Sequence, residues 1–327
     1  MMHDKLLDRS DIDSALRLFD GHHEAFLRKT PVLKLDGRAL GLKLGELWLK
    51  LEQLQVGGSF KARGMLHRML ANPIPPSGVI IASGGNAGIA AAAAARSLGV
   101  ACEVFVPRIT SAAKRDRLRQ LGATVVVGGA AYAQAHEACL QRQRLSGALL
   151  LHAYDQVEVV AGAGTLAAEI EEQAGLPDSV LVSVGGGGLI GGVAAWFERR
   201  ARIVALEPTL APTLYRARAA GAPVDVEVSG MAADSLGAKR IGAIAWRLTQ
   251  AHVSDALLLG DDAIAAAQAW LWTELRLAVE PAAALGLAAL QCGAYQARAD
   301  ETVCLILCGA NLDPAKLSEG TARAGVA

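Results

Sequence analysis

Seven short apolar runs constrain this chain more than any other feature. They read GVIIAS (78–83), CEVFVP (102–107), ATVVVG (123–128), ALLLHAY (148–154), SVLVSV (179–184), RIVALEP (202–208) and TVCLILC (302–308). Each has the length of a strand. Between several of them stand stretches of helical length rich in Ala, Leu, Arg and Gln, such as 112–121 and 132–145. A run that stays apolar through successive residues has both faces covered, as strands do in parallel sheets flanked by helices. The alternation predicts an α/β fold with mainly parallel sheets. At 327 residues the chain has length for about two domains, each able to bury a core.

Three loops follow such runs directly: SGGNAG (83–88), GGGGLIGG (185–192) and CGAN (308–311). In parallel sheets, ligands bind beyond the carboxyl ends of the strands. One polar loop there would mean little; three, with the stretch GGSFKARG at 57–64, suggest the walls of one site. Taken alone, GGSFKARG reads equally as an ordinary turn carrying a solvated lysine. The four glycines at 185–188 are more telling. They leave backbone N–H groups unshielded at the start of a helix expected over 189–199, which is a phosphate cradle by hydrogen bonding and helix dipole together. A nucleotide reading fits poorly. GGGGLIGG lacks the GxxxxGK[ST] lysine and hydroxyl, and a forced GxGxxG match fails at Ile190.

Composition removes other classes. Lysine plus arginine and aspartate plus glutamate are 32 each, so no net charge recruits nucleic acid or an anionic membrane. The charged start MMHDKLLDRSDID is unlike a signal peptide, and no apolar run approaches the roughly 20 residues of a membrane span. Five cysteines (102, 139, 292, 304 and 308) show no metal-like spacing and fit reduced thiols in a cytoplasmic protein. Four read as small core residues; Cys308, in the third loop, stands apart.

LKLEQLQVGGSFKARG, SGGNAGIA, HAYDQVEVVAGAGT, SVGGGGLIGG, EPAAA and LCGAN occur in that order. In this the chain resembles fold-type II pyridoxal-phosphate enzymes, most closely the serine/threonine dehydratases (ammonia-lyases), over the span from TPVLKLD to CGANLDP. The resemblance implies a tryptophan synthase β-like architecture of two three-layer domains, residues 1–50 with 149–327 forming the large cofactor domain and 51–148 the small one. It implies pyridoxal 5′-phosphate as cofactor, a small amino-acid substrate and a homodimer. Lys61 matches the lysine that bonds covalently to the cofactor aldehyde and then acts as the base at the substrate Cα. Phe60 matches the residue packed on the ring, and Asn86 the hydrogen-bond partner of the cofactor 3′-oxygen. Gly185, Gly186, Gly187, Gly188 and Leu189 match the phosphate loop. Glu280 of EPAAA and Cys308 fall beside the ring, Cys308 at the pyridine nitrogen. Ser83, Gly84, Gly85, Asn86 and Ala87 match the loop that grips the substrate carboxylate.

Departures from the family pattern carry information too. Gly84 replaces a serine that serves related racemases as acid/base, so racemisation by that route is not expected. Of the family's cation ligands, Glu207 matches the carboxylate and Ala211 the carbonyl, but Thr213 occupies the second carboxylate position. A single carboxylate holds a hard cation weakly, and a metal requirement is not expected. Nor is feedback control, since no length remains after residue 327 for a regulatory domain. Ala87 and Ile89 stand where the common dehydratase loop has His and Gln. Lining the pocket, they would admit a bulky β substituent such as phenyl, at ~0.8 kcal/mol per buried methylene; pointing away, they merely repack a helix. The expected reaction is dehydration and deamination of a β-hydroxy amino acid (serine, threonine or 3-phenylserine) to a 2-oxo acid and ammonia. The alternatives are β-replacement of the cysteine synthase type, a nicotinamide oxidoreductase built on the glycine loop, and a non-catalytic binding protein of the same fold.

Overall fold

The computed structural model describes residues 5–21 and 26–313. Its helices are α1 (Arg9–Phe19), α2 (Lys61–Leu70), α3 (Asn86–Ser97), α4 (Ala112–Gln120), α5 (Tyr132–Ser146), α6 (Val157–Ala174), α7 (Gly188–Phe197), α8 (Thr213–Ala220), α9 (Ala243–His252), α10 (Asp261–Leu275) and α11 (Pro281–Gln291). Its strands are β1 (Val32–Asp36), β2 (Glu46–Lys50), β3 (Val79–Ala82), β4 (Cys102–Val106), β5 (Thr124–Val127), β6 (Leu149–Leu151), β7 (Ser179–Ser183), β8 (Arg202–Pro208), β9 (Val253–Leu259) and β10 (Thr302–Ile306).

Two sheets form. One has six strands in the order β1-β2-β10-β7-β8-β9, parallel except for the β1–β2 pair. The other has four, β5-β4-β3-β6, all parallel. The fold is therefore α/β with mainly parallel sheets, and the seven apolar runs all become strands. Buried apolar residues gather in a large cluster on the six-stranded sheet, including Leu49, Val182 and Ile203, and a smaller one on the four-stranded sheet, including Met65, Ile81 and Val104. Helix α6 lies between them: Val159 belongs to the smaller cluster and Val160 to the larger.

The boundary expected at 148/149 is displaced. Leu149, Leu150 and Leu151 pair with Val79, Ile80 and Ile81, so β6 completes the four-stranded sheet. Without it the buried edge of β3 would leave backbone groups unpaired, which burial does not tolerate.

β1, β2 and β9 lie outside the runs singled out in the sequence. β1 and β9 are sheet edges with half-buried or exposed residues. β2 carries Glu46 and Lys50 at its ends, and Lys50 is buried because Glu169 accepts from its Nζ at 2.6 Å. Cys292, read as a core thiol, instead caps α11 at the surface; the other four cysteines are buried.

Candidate active site

The turn before α2 needs its glycines. Gly57 and Gly58 both have positive φ, and a Cβ on Gly58 would stand 2.6 Å from Asn311 Oδ1. The turn is tied to the end of β10, since Phe60 N–H donates to the Cys308 carbonyl (3.1 Å) and Ala310 N–H to the Gly58 carbonyl (2.9 Å). Lys61 thus begins α2 beside the third polar loop. Its Nζ donates to the Ala153 carbonyl (2.6 Å) and lies 5.0 Å from the centre of the Phe60 ring. Burial pushes its pKa down to about 8, against a smaller opposing effect from Cys308. Burial also pushes the Cys308 thiol far up, with Glu280 adding to the shift, so the thiol stays neutral.

Helix α2 is itself pinned. The Arg63 guanidinium donates to both carboxylate oxygens of Glu52 (2.8 Å each) and to both of Glu169 (2.7 and 2.8 Å). Lys50 and Glu169 complete a balanced, fully buried group of two cations and two anions. Such a set costs desolvation but tolerates no missing member.

The glycine loop is enforced at each position. A Cβ on Gly186 would meet the Tyr154 ring at 2.3 Å, one on Gly187 the Ala245 methyl at 2.5 Å, and ones on Gly185 and Gly188 would crowd Leu236 and Tyr154 at 3.1 Å. Its carbonyls are anchored outward: Thr213 Oγ1 donates to Gly185 O (2.6 Å) and Gly242 N–H to Gly186 O (3.0 Å). In a planar trans peptide the C=O and the following N–H point opposite ways, so these anchors aim the N–H groups of Gly186 and Gly187 to the other side. No described residue accepts them. Helix α7 starts directly after them, with Gly187 as N-cap and Leu189 as its second residue. Asp155, next to Tyr154, holds the flanking α9 by accepting from Ala243 and Ile244 N–H (3.0 and 3.1 Å). A phosphate-sized anion suits this cradle.

The 83–88 loop opens α3. Gly88 is required because a Cβ there would fall 1.9 Å from the Ser83 carbonyl, and Gly84 because one would meet Thr110 Cγ2 at 2.9 Å. Gly85 is the N-cap, its N–H donating to Ser83 Oγ at 3.4 Å. The first N–H groups of α3, from Asn86 onward, have no intrahelical partner and suit a carboxylate. Ala87 and Ile89, however, are buried in the smaller apolar cluster, and Ile89 Cγ2 would stand 3.4 Å from a Cβ placed on Gly57. Both side chains pack within that cluster.

Asn86 is oriented by a network in which one member, Asn311, had no role in the sequence reading. Asn86 Nδ2 donates to both oxygens of Glu280 (3.0 and 2.9 Å), and its Oδ1 accepts from Asn311 Nδ2 at 2.7 Å. Asn311 also donates from Nδ2 to the Gly57 carbonyl and from its backbone to Glu280 (2.7 Å each). Flipping the Asn86 amide would set its oxygen against both Glu280 oxygens and its Nδ2 against the Asn311 Nδ2 donor, so its orientation is fixed. Glu280, N-cap to the Pro281 that starts α11, has its pKa raised by burial. The signal for Asn311 was its place in CGAN. Tyr154 and Asp155 likewise sat in HAYDQ, where nothing local distinguishes them.

The cation ligands implied by the resemblance are spent within the chain. Glu207 is fully buried and caps α8: Oε1 accepts from Leu214 N–H (2.7 Å) and lies 2.9 Å from Thr213 Oγ1, while Oε2 accepts from Tyr215 N–H (2.7 Å). The Ala211 carbonyl accepts from Thr213 N–H at 3.2 Å. Among the described residues no group of three or more His, Cys, Asp or Glu could hold a metal. These residues do not fit a cation.

They do fit pyridoxal phosphate. Lys61 can hold its aldehyde and the glycine loop its phosphate, with Asn86, Glu280 and Cys308 as candidate neighbours of the ring. Ser59 adds a buried hydroxyl without a hydrogen-bond partner among the described residues, next to Phe60 and Lys61. No helix of the described chain is long and apolar enough to cross a membrane.

Comparison with known proteins agrees. The family model described as "Pyridoxal-phosphate dependent enzyme" matches residues 24–309. An L-threonine ammonia-lyase of Geobacter sulfurreducens is 36% identical over 293 residues, 87% of this chain and 72% of its own length. A phenylserine dehydratase of Ralstonia pickettii is 35% identical over 274 residues, 81% of this chain and 83% of its own length. The solved structure of the processed form of threonine deaminase isoform 2 from Solanum lycopersicum superposes with a TM-score of 0.88 at 28% identity, covering 98% of this chain and 90% of that one. Other curated relatives are longer, and the chain spans 49–63% of four threonine dehydratases or ammonia-lyases among them.

Proposed function

The chain belongs to the pyridoxal-phosphate dependent enzyme family, and from that premise we propose that it is an ammonia-lyase acting on small β-hydroxy amino acids, serine and threonine, to give a 2-oxo acid and ammonia. The observation that supports this reading is a chain of direct contacts: Lys61 donates to the Ala153 carbonyl beside the Tyr154 that packs on Gly186 and Gly188, and its turn is tied to Cys308 and to the Asn311 that joins Asn86 and Glu280.

Pyridoxal phosphate supplies the electron sink that lets the α-proton leave and the β-hydroxyl depart. The residues of the chain do the rest. A pKa of about 8 keeps a useful fraction of the Lys61 amine free at neutral pH, where a solvated lysine at ~10.4 would be protonated. With substrate in place, the unprotonated Lys61 amine would take up the α-proton as general base. The N-terminus of α3 binds the substrate carboxylate by N–H groups and dipole. A neutral Cys308 thiol would offer the ring nitrogen of the cofactor a weak hydrogen bond and no negative charge, which would favour expulsion of a β leaving group over transamination. Gly84 presents no side chain to return a proton from the opposite face, so elimination is favoured over racemisation.

A second reading, dehydration of 3-phenylserine, is favoured by the Ralstonia relative; nothing in the packing of Ala87 or Ile89 supports it. The resemblance also carries the reading of a cytoplasmic homodimer, whose oligomeric half light scattering tests. Specificity constants (kcat/KM) for L-serine, L-threonine and 3-phenylserine decide the substrate. Higher values for serine or threonine support the first reading, and a clear lead for 3-phenylserine replaces it with the second.

A further inference from the structure

Thr213, which anchors the first carbonyl of the glycine loop, also reaches the residue that the resemblance makes a cation ligand. The threonine is fully buried at the start of α8; its one hydroxyl proton goes to the Gly185 carbonyl at the shorter distance, 2.6 Å, and its oxygen lies 2.9 Å from Glu207 Oε1, from which it accepts when that carboxyl carries a proton. Gly185 is the first glycine of the cradle, and its carbonyl is one end of the peptide whose other end is the Gly186 N–H. Holding the carbonyl toward α8 therefore fixes the direction of an N–H that faces the anion. Glu207, at the end of β8, is held in turn by the Leu214 and Tyr215 N–H groups. The strand end, the helix start and the glycine loop thus form one buried clamp. In it the bonds of Glu207, Ala211 and Thr213 all close within the chain.

We propose that Thr213 is a positioning residue for the cofactor phosphate: its hydroxyl clamps Gly185 to Glu207 directly, where the resemblance implies a divalent cation, and makes cofactor binding independent of metal. The clamp rests on the reading of Gly185–Gly188 as the phosphate cradle. Thr213→Val keeps the shape and removes the donor. It loses the bond to the Gly185 carbonyl and with it the contact to Glu207, so the cradle loosens without losing its other anchor at Gly186. Thr213→Ser restores the hydroxyl. Thr213→Asp places a second carboxylate beside Glu207, a pair that a hard cation can bridge.

The test is titration of the apoenzyme with pyridoxal phosphate, followed by visible absorbance, in EDTA and in millimolar Mg²⁺ or Ca²⁺. Wild type and Thr213→Ser are expected to bind equally with and without cation. Thr213→Val should bind roughly five- to tenfold more weakly, the effect of one lost hydrogen bond, in either buffer. Thr213→Asp should bind weakly in EDTA and recover with cation. Loss of wild-type affinity in EDTA with recovery on adding cation would overturn the clamp, an arm that needs no variant to fold. So would unchanged affinity in Thr213→Val. Failure of the wild-type apoenzyme to bind pyridoxal phosphate in either buffer would sink the cradle itself, and the clamp with it.

Discussion

Lys61 shows how far one residue can be read in isolation. GGSFKARG allows a solvated lysine as readily as a reactive one, and only the order of the other loops separates the two. What the octapeptide cannot reveal is the carbonyl of Ala153, 92 residues away, that accepts from Nζ, or the burial that lowers the pKa to about 8. The sign of that shift predicts a pH effect. The lysine amine attacks an aldehyde only when unprotonated, so reloading of apoenzyme with pyridoxal phosphate should accelerate as pH rises from 6 to 9, with its midpoint near 8. Stopped-flow absorbance reads this directly; a midpoint above 10 would mean a solvated amine. Cys308 gives a second prediction at this scale. Cys308→Asp places a carboxylate at the pyridine nitrogen and should raise transamination relative to elimination. An unchanged ratio of pyridoxamine phosphate formed to ammonia released would rule that role out. Ala87 and Ile89 mark the limit of residue-level reading, because only burial shows that both side chains are spent on packing.

Among the elements, helices and strands with continuous apolar faces were legible from their runs, and those stabilised by paired charges were not. β2 hides behind Lys50, whose burial depends on Glu169 in α6, a partner no local pattern announces. The same pairing governs α2. Arg63→Met would leave Glu52 and Glu169 facing each other with only Lys50 for compensation, a loss of about 3–5 kcal/mol by comparison with other broken buried pairs. Thermal unfolding should register it as a large drop in Tm, accompanied by weaker cofactor binding because Lys61 rides on the same helix. A Tm within a degree or two of wild type would show that the four charges are not coupled as described. The glycine loop was legible as an anion site from composition alone. Its outward anchors, Thr213 and Gly242, were not, since each comes from a different segment brought close only by the sheet.

For the whole molecule, the sequence pattern revealed two parallel sheets but misjudged where the second ends, because LLL at 149–151 reads as continuous with the loop HAYDQ that follows it. The walls of the site come from both sheets: Ser83 through Asn86 from the four-stranded one, Gly185–Gly188 and Cys308 from the six-stranded one. Lys114 on α4 reaches Asp234 at 2.9 Å from the other side, beside the loop at Gly85. We expect substrate held at α3 to draw the four-stranded unit over the site and exclude water from the reacting centre. Small-angle scattering or crystal structures with and without a carboxylate analogue should show the more compact form with analogue; identical positions would count against closure. The central claim, that one lysine in one cradle makes this chain an ammonia-lyase, is tested most directly by comparing wild type with Lys61→Ala, measuring visible cofactor absorbance and 2-oxo acid released from L-serine and L-threonine. Wild type should show both signals, and the variant should lose the covalent cofactor band and at least ~10³-fold of turnover. Undiminished 2-oxo acid formation by the variant, or none from any β-hydroxy amino acid by cofactor-loaded wild type, would contradict it.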